Sequence, residues 1–177
     1  MPSSDPITIP KIIDIIMELD PIMILDIGAG NGRYGFLFRE CLDWNYGRLN
    51  KKDWCRVIDG VEIDESYINP VHKYVYDTII VDDWLTCKVP NDYYDVTFMG
   101  DVLEHWEEGQ WQKALEKAKD YSKITIVVAP NWTGSLAQKE WYGHKYEAHK
   151  VVLSPQKVGG KCLFANPKMF ICMINNY

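Results

Sequence analysis

Residues 24–35 read ILDIGAGNGRYG and place a cluster of glycines directly behind an aspartate. The apolar run at 22–27 is typical of a strand buried on both faces of a parallel sheet. Residues 33–42 have the character of a helix. A glycine-rich turn between a strand and a helix points backbone N–H groups at a ligand, because a Cβ atom would block the approach. The stretch therefore predicts a small-molecule site at the turn between a strand and a helix.

Apolar runs alternate with helical segments on both sides of this unit. Strands are predicted at 55–63, 77–83, 94–100 and 123–130, and helices at 10–19 and 107–122. This alternation is typical of β-α-β units. Two apolar runs within 161–174, separated by ANP, predict an antiparallel hairpin. We therefore predict an α/β fold with a doubly wound, mostly parallel sheet of about seven strands and a C-terminal antiparallel hairpin.

Some connections depart from a regular alternation. Residues 43–53 are polar and predict a surface loop. Between VDDWL and YYDVTF there are too few residues for a full helix, so this crossover is predicted to be a loop or a single turn. Asn69 and Pro70 are predicted to interrupt the helix after the second strand. Ser154 and Pro155 suit the cap and first position of a short helix.

Two kinds of cofactor fit the glycine turn. A dinucleotide fingerprint GxGxxG is present as Gly30, Gly32 and Gly35, but this pattern alone is a weak signal. Asp26 favours another ligand, because a carboxylate there suits a positively charged amino group and would repel a pyrophosphate. Glu62, at the end of the second strand, is placed to accept hydrogen bonds from both hydroxyls of a ribose. The two carboxylates together favour an aminoacyl nucleoside.

Four segments of the chain resemble the ordered motifs of class I S-adenosylmethionine (SAM)-dependent methyltransferases. They are ILDIGAGNGRYG (24–35), GVEIDES (60–66), VDDWL (81–85) and YDVTFMGDVLEHW (94–106). The resemblance covers roughly residues 20–130, and four motifs in family order are far more specific than one glycine turn. It implies a three-layer Rossmann-like fold, SAM as cofactor and transfer of its methyl group to an acceptor.

The resemblance also implies which residues bind the cofactor. Asp26 and the turn would hold the methionine part, Glu62 the ribose, and Ile63 and Trp84 the adenine ring. Asp83 would bond the adenine amino group, although Asp82 is an alternative. The strand end at 100–102 would close the pocket. The full set is Asp26, Gly28, Ala29, Gly30, Asn31, Gly32, Glu62, Ile63, Asp83, Trp84, Gly100, Asp101 and Val102.

Residues on the acceptor side are predicted from two further segments. His105 borders the active site in the resembling family, and a histidine can serve as a general base near neutral pH. The segment 131–153 follows the fifth strand and is predicted to be a lid over the acceptor. It is rich in aromatic and ionisable residues, and Tyr146 and His149 are its catalytic candidates. Its other notable residues are Trp132, Trp141, Tyr142, His144 and Glu147.

A metal site is not predicted. Asp101 and Asn131 supply oxygen atoms at neighbouring strand ends, as in Mg²⁺-dependent catechol-type methyltransferases, but the sequence reveals no third oxygen ligand. The five cysteines show no zinc-site spacing and are expected to be reduced thiols of a cytoplasmic protein. The sequence also shows no signal peptide and no membrane-spanning run.

Length and charge limit the domain organisation and the partners. The 177 residues predict a single domain, 1–177, with an N-terminal helical segment at 1–20. A formal charge of −6 disfavours nucleic acid and anionic membranes. GDVLEHW also stands where amino-methylating DNA enzymes carry a proline-proline-aromatic motif. We therefore expect a small-molecule acceptor, recognised by residues 1–20, 102–110, the lid or the second subunit of a homodimer. A SAM-binding protein without catalysis, an NAD-dependent oxidoreductase and an aminopropyl-transferring relative remain alternatives.

Overall fold

The computed structural model describes residues 5–139 and 144–177. Its helices are α1 (Ile9–Leu19), α2 (Arg33–Leu42), α3 (Pro70–Val75), α4 (Gln110–Asp120) and α5 (Pro155–Val158). Its strands are β1 (Met23–Ile27), β2 (Val57–Glu62), β3 (Thr78–Val81), β4 (Tyr94–Gly100), β5 (Ser122–Pro130), β6 (Lys161–Ala165) and β7 (Met169–Asn175). Within the described ranges, no helix is long and apolar enough to cross a bilayer.

The seven strands form one sheet in the order β3-β2-β1-β4-β5-β7-β6. Strands β1 to β5 pair in parallel. Strand β7 is antiparallel to both of its neighbours, β5 and β6. The predicted mostly parallel sheet with a C-terminal antiparallel hairpin is confirmed. The strand order reverses between β1 and β4, and in open α/β sheets ligands bind at the carboxyl ends of the strands beside such a point.

Apolar side chains fill both faces of the sheet. Successive residues of β1 point to opposite faces, so Ile24 packs with α1 and α2 whereas Leu25 packs with α4. Phe38 of α2 and Trp111 of α4 are large side chains in the two separate clusters. The sheet is therefore the middle of three layers, which is the predicted Rossmann-like arrangement.

Most predicted elements lie within one to three residues of the observed bounds, and two connections differ in kind. Pro70 does not interrupt a helix but opens α3, with Asn69 as the cap whose side chain accepts the N–H of Val71 at 2.8 Å. The 43–53 segment contains two short 3-10 turns, and Asp43 at its start is buried and paired with Arg39 at 2.6 Å. The connection between β3 and β4 contains no helix, and Ser154 caps α5 as predicted.

Candidate functional site

The glycine turn has a backbone that only glycine adopts readily. Gly28, Gly30 and Gly32 have φ angles of +78°, +55° and +82°. A Cβ atom at Gly28 would also lie 2.7 Å from Cγ2 of Val102, which follows β4. The turn is therefore in close contact with the end of β4 and is restricted by both conformation and space.

Hydrogen bonds from β2 and α3 hold the turn in place. Glu62 accepts the N–H of Gly30 at Oε2 (2.7 Å) and the N–H of Asp64 at Oε1 (2.9 Å). His72 donates its Nε2–H to the carbonyl of Gly30 at 2.9 Å, because its Nδ1 accepts the N–H of Asn69. Burial raises the pKa of Glu62 and lowers that of His72. The ribose candidate Glu62 therefore also fixes the shape of the turn.

Asp26 lies behind the turn. Its side chain is 1% exposed and accepts a 2.6 Å hydrogen bond from the hydroxyl of Tyr76. Burial raises its pKa to about 7, the hydrogen bond from Tyr76 opposes this rise, and the charge of Glu62 adds to it. Asp26 is not on the wall of the adjoining cleft. Its hydrogen-bond partner, Tyr76, is the residue that directly follows α3.

A cleft of about 650 Å³ lies at the carboxyl ends of the central strands. It brings together most residues that the sequence predicted for cofactor and acceptor. The predicted residues on its wall are Gly28, Ala29, Gly30, Glu62, Ile63, Asp83, Trp84, Gly100, Asp101, Val102, His105, Tyr146 and His149. Asn31 and Gly32, like Asp26, are not on the wall. A single cleft thus joins the glycine turn to the predicted acceptor side.

The far end of the cleft contains the adenine candidates. Asp82 and Asp83 both line it, and Oδ1 of Asp83 also caps the following turn by accepting the N–H of Leu85 at 2.9 Å. The geometry leaves both aspartates as candidates. Trp84 is 2% exposed, donates its Nε1–H to the carbonyl of Ala114 at 2.9 Å and belongs to the core beside α4. Only part of its surface can face a ligand.

The acceptor side contains a cluster that the sequence analysis missed. Glu104 is 1% exposed, and its Oε1 lies 3.9 Å from Nε2 of His149. The rings of His105 and His149 meet edge to face with centroids 4.9 Å apart. His105 and Glu104 are adjacent in the DVLEHW motif, but only the fold brings His149 to them. In the sequence, the feature that could have identified Glu104 is its position directly before His105, which was already a candidate base.

Burial dominates the electrostatics of this cluster. It raises the pKa of Glu104 well above its usual range, and the neighbouring carboxyl of Asp101 adds to the rise. Burial lowers the pKa of His105, and it lowers the pKa of His149 to about 4 with a further contribution from His105. Both imidazoles are therefore neutral at pH 7 and each keeps a nitrogen lone pair.

The described part of the 131–153 segment is fastened to both sides of the cleft. Glu147 accepts the hydroxyl of Tyr67 at 2.7 Å, and His144 lies 2.9 Å from a carboxylate oxygen of Asp64. On the other side, the N–H of Lys150 donates to the carbonyl of Glu104 at 2.8 Å.

Other residues singled out in the sequence have varied placements. Trp132 lines the cleft and is half exposed. Trp141 and Tyr142 lie outside the described residues. The metal candidate Asn131 donates its amide to the carbonyl of Asn166 at 3.1 Å and does not line the cleft.

Comparison with known proteins rests on the fold. No protein-family model and no curated protein matches the sequence. A protein from Pyrococcus horikoshii OT3 superposes with a TM-score of 0.67 at 14% identity, over 96% of this chain and 88% of that one. Magnesium protoporphyrin IX methyltransferase from Synechocystis PCC 6803, solved with bound S-adenosylhomocysteine (SAH), superposes with a TM-score of 0.59 at 12% identity, over 94% and 80%.

A third similar structure is the N-terminal domain of EvdMO1, solved in the presence of SAH and D-fucose. Its TM-score is 0.61 at 14% identity, over 93% of this chain and 81% of that one. The chain has the Rossmann-like methyltransferase fold. At these identities the likeness concerns the fold. The glycine turn follows β1, beside the point where the strand order reverses.

Proposed function

We propose that this protein is a class I SAM-dependent methyltransferase that acts on a small-molecule acceptor. The observation that carries the proposal is one cleft lined by the turn glycines Gly28 and Gly30 together with Glu62 and Asp83. These residues lie at the ends of β1, β2 and β3 in a methyltransferase fold. SAM would extend from the glycine turn across Glu62 to the 82–84 segment.

The proposal gives each donor-side residue a physical role. The turn would bring backbone near the methionine part of SAM. Glu62 already accepts two backbone N–H groups, and the remaining lone pairs of its carboxylate can accept ribose hydroxyls. Asp26 does not line the cleft, so it would not bind SAM directly. Its hydrogen bond with Tyr76 would instead hold the end of β1 and so position the glycine turn. Ile63 and Asp83 would contact adenine.

Methyl transfer breaks the bond between the sulfonium sulfur and the methyl carbon while the acceptor atom forms its new bond to that carbon. The positive charge on sulfur disappears, so the protein mainly has to align the two molecules and exclude water. The acceptor would lie against the wall made by His105, Tyr146 and His149. Neutral imidazoles there are able to take a proton from an oxygen or nitrogen acceptor, and this base role remains a prediction.

One feature of the fold weighs against the NAD-dependent alternative. The dinucleotide-binding fold has the parallel order 3-2-1-4-5-6, whereas here the antiparallel β7 stands between β5 and β6.

Calorimetric titration with SAM and SAH tests the proposal. We expect the wild type to bind both, and Glu62→Gln to weaken binding about tenfold or more, since a hydrogen bond to a charged group contributes roughly 1.5–3 kcal/mol. Glu65→Gln is the matched control, because Glu65 is an exposed carboxylate on the next turn and does not line the cleft. A folded wild type that binds neither compound would overturn the proposal.

Turnover separates an enzyme from a non-catalytic SAM-binding protein. SAH release should be measured with panels of small hydroxyl-, amine- and carbon-acid acceptors. We expect release above the acceptor-free rate for at least one class. Tight SAM binding with no acceptor-dependent release across the panels, together with a co-purifying partner, would favour the binding-protein alternative.

A further inference from the structure

We propose that Glu104, His105 and His149 bind a divalent transition-metal ion on the acceptor wall of the cleft. One potential ligand atom from each residue lies within 4.8 Å of the other two. Zinc lies about 2.0–2.2 Å from nitrogen and oxygen ligands, and its tetrahedral geometry separates the ligand atoms of one ion by roughly 3.4 Å. Binding would therefore draw ligand atoms that now lie within 4.8 Å of one another closer by up to about 1.4 Å, a movement that side-chain torsions can supply.

The buried carboxyl of Glu104 has an unmet demand for hydrogen-bond donors. Both of its side-chain oxygens are buried, and among the described residues the polar group beside them is the carboxyl of Asp101, which can share only one proton with Glu104. Nε2 of the neighbouring His149 faces one of these oxygens at 3.9 Å. Buried polar atoms are normally paired, and leaving one unpaired costs about 1–3 kcal/mol or more. A cation between these side chains would meet the demand.

The surrounding structure orients the ligands as a metal site requires. His105 donates its Nδ1–H to the carbonyl of Ala148 at 3.2 Å, which leaves Nε2 with its lone pair. Metal-binding histidines commonly donate their other N–H in this way. The backbone hydrogen bond from Lys150 to Glu104 joins the two segments that supply the ligands. The carboxyl of Asp101 beside Glu104 adds negative charge.

The donor set selects the class of ion. Two imidazoles with a carboxylate suit Zn²⁺, Co²⁺ or Fe²⁺, whereas Mg²⁺ and Ca²⁺ prefer oxygen ligands. Three protein ligands leave coordination positions open. Because all three residues line the cleft, these positions face the space proposed for the acceptor. An acceptor oxygen is the chemical group that such an ion would take as its next ligand. With the ion bound, the imidazole lone pairs would be occupied, and the ion would activate the acceptor oxygen by lowering its pKa in place of a histidine base.

Titration of the protein with Co²⁺, followed by visible absorption, tests the site, with Zn²⁺ competition to confirm it. We expect one ion per chain, displaced by Zn²⁺ and not by an equal concentration of Mg²⁺. Glu104→Gln and His149→Ala should each weaken Co²⁺ binding about tenfold or more. Glu107→Gln and Glu108→Gln are the controls, since both are exposed carboxylates that do not line the cleft, and they should bind like the wild type.

The proposal fails if the wild type shows no stoichiometric Co²⁺ binding, or if both site variants bind as tightly as their controls. Circular dichroism identifies a variant that does not fold, and the other variant then decides the result. Because Co²⁺ binding is measured without SAM, SAM binding in the absence of Co²⁺ binding would overturn this inference and leave the proposed methyltransferase function standing.

Discussion

Gly28 and Gly47 show how two glycines with the same backbone conformation differ in their surroundings. Their φ angles are +78° and +79°. A Cβ atom at Gly47 would meet nothing within 4 Å, whereas at Gly28 it would overlap Val102. The pair therefore separates the conformational requirement for glycine from the requirement for space.

We predict that Gly28→Ala destabilises the protein more than Gly47→Ala. Placing alanine in the left-handed region costs roughly 1–2 kcal/mol at both positions. Overpacking against Val102 adds about 1–3 kcal/mol at Gly28 alone. Urea denaturation of the two variants measures the difference in the free energy of unfolding. An equal decrease in the free energy of unfolding for both variants would show that the side chain of Val102 can move away without an energetic penalty.

Asp26 should give the protein a pH-dependent stability. Its pKa is about 7 in the folded chain against an ordinary 3.8, so between these values the folded state holds a proton that the unfolded state has released. The free energy of unfolding therefore falls as pH rises from about 4 to about 7, by an amount on the order of 4 kcal/mol from this group.

We predict that Asp26→Asn makes this decline shallower, because the amide does not titrate. Urea midpoints at several values between pH 4 and 7 provide the measurement. Asp14→Asn, at an exposed carboxyl on α1, is the control and should leave the slope unchanged. A slope in Asp26→Asn as steep as in the wild type would contradict the assignment.

At the scale of elements, α3 supports the glycine turn from the side. It has only six residues, yet it begins with a capping box and buries His72 against the carbonyl of Gly30. The helix also ends beside Tyr76, which holds Asp26. One short helix thus fixes both the turn and the strand that leads into it.

We predict that His72→Gln weakens SAM binding while α3 persists. Loss of the hydrogen bonds to Gly30 and Asn69 should loosen the turn, which hydrogen exchange would detect as faster exchange of the amides at 28–32. Lys73→Gln is the control, since Lys73 is the exposed neighbour on the same helix. Unchanged exchange in His72→Gln would mean that Glu62 alone holds the turn.

The elements were largely predictable from sequence because the apolar periodicity and the turn chemistry are local properties. Helix α2 and strand β4 have the predicted bounds, and Ser154 caps α5 as expected. The burial of Asp26 was not predictable, because its partner Tyr76 lies 50 residues away. The cluster at Glu104 likewise includes His149, which follows β5, and no local sequence pattern indicates that these two residues lie side by side.

At the scale of the whole molecule, the segment after β5 bridges the two sides of the cleft. Glu147 binds Tyr67, which follows β2, and Lys150 binds the turn that follows β4. These strands lie on opposite sides of β1 in the sheet. The segment therefore closes the cleft by linking its halves.

We predict that Tyr67→Phe loosens this bridge. The lost hydrogen bond to the buried Glu147 carboxylate should speed amide exchange at 144–149 and leave exchange in β4 unchanged. Mass spectrometry of exchanged peptides provides the measurement. Tyr74→Phe, at an exposed tyrosine of α3, is the control. Faster exchange throughout the chain would instead indicate global destabilisation.

The sheet order also decides how the molecule behaves in concentrated solution. Strands β7 and β6 extend the sheet beyond β5, so its two edge strands are β3 and β6. Strand β3 has four residues and is flanked by Asp77 and Asp82, while β6 begins with Lys161 and is irregular between Cys162 and Phe164. Edge strands that are short, charged or irregular pair poorly with a strand of another molecule and so resist aggregation. Added salt screens the charges of the aspartates, so we expect concentrated protein to aggregate more slowly in buffers of low ionic strength.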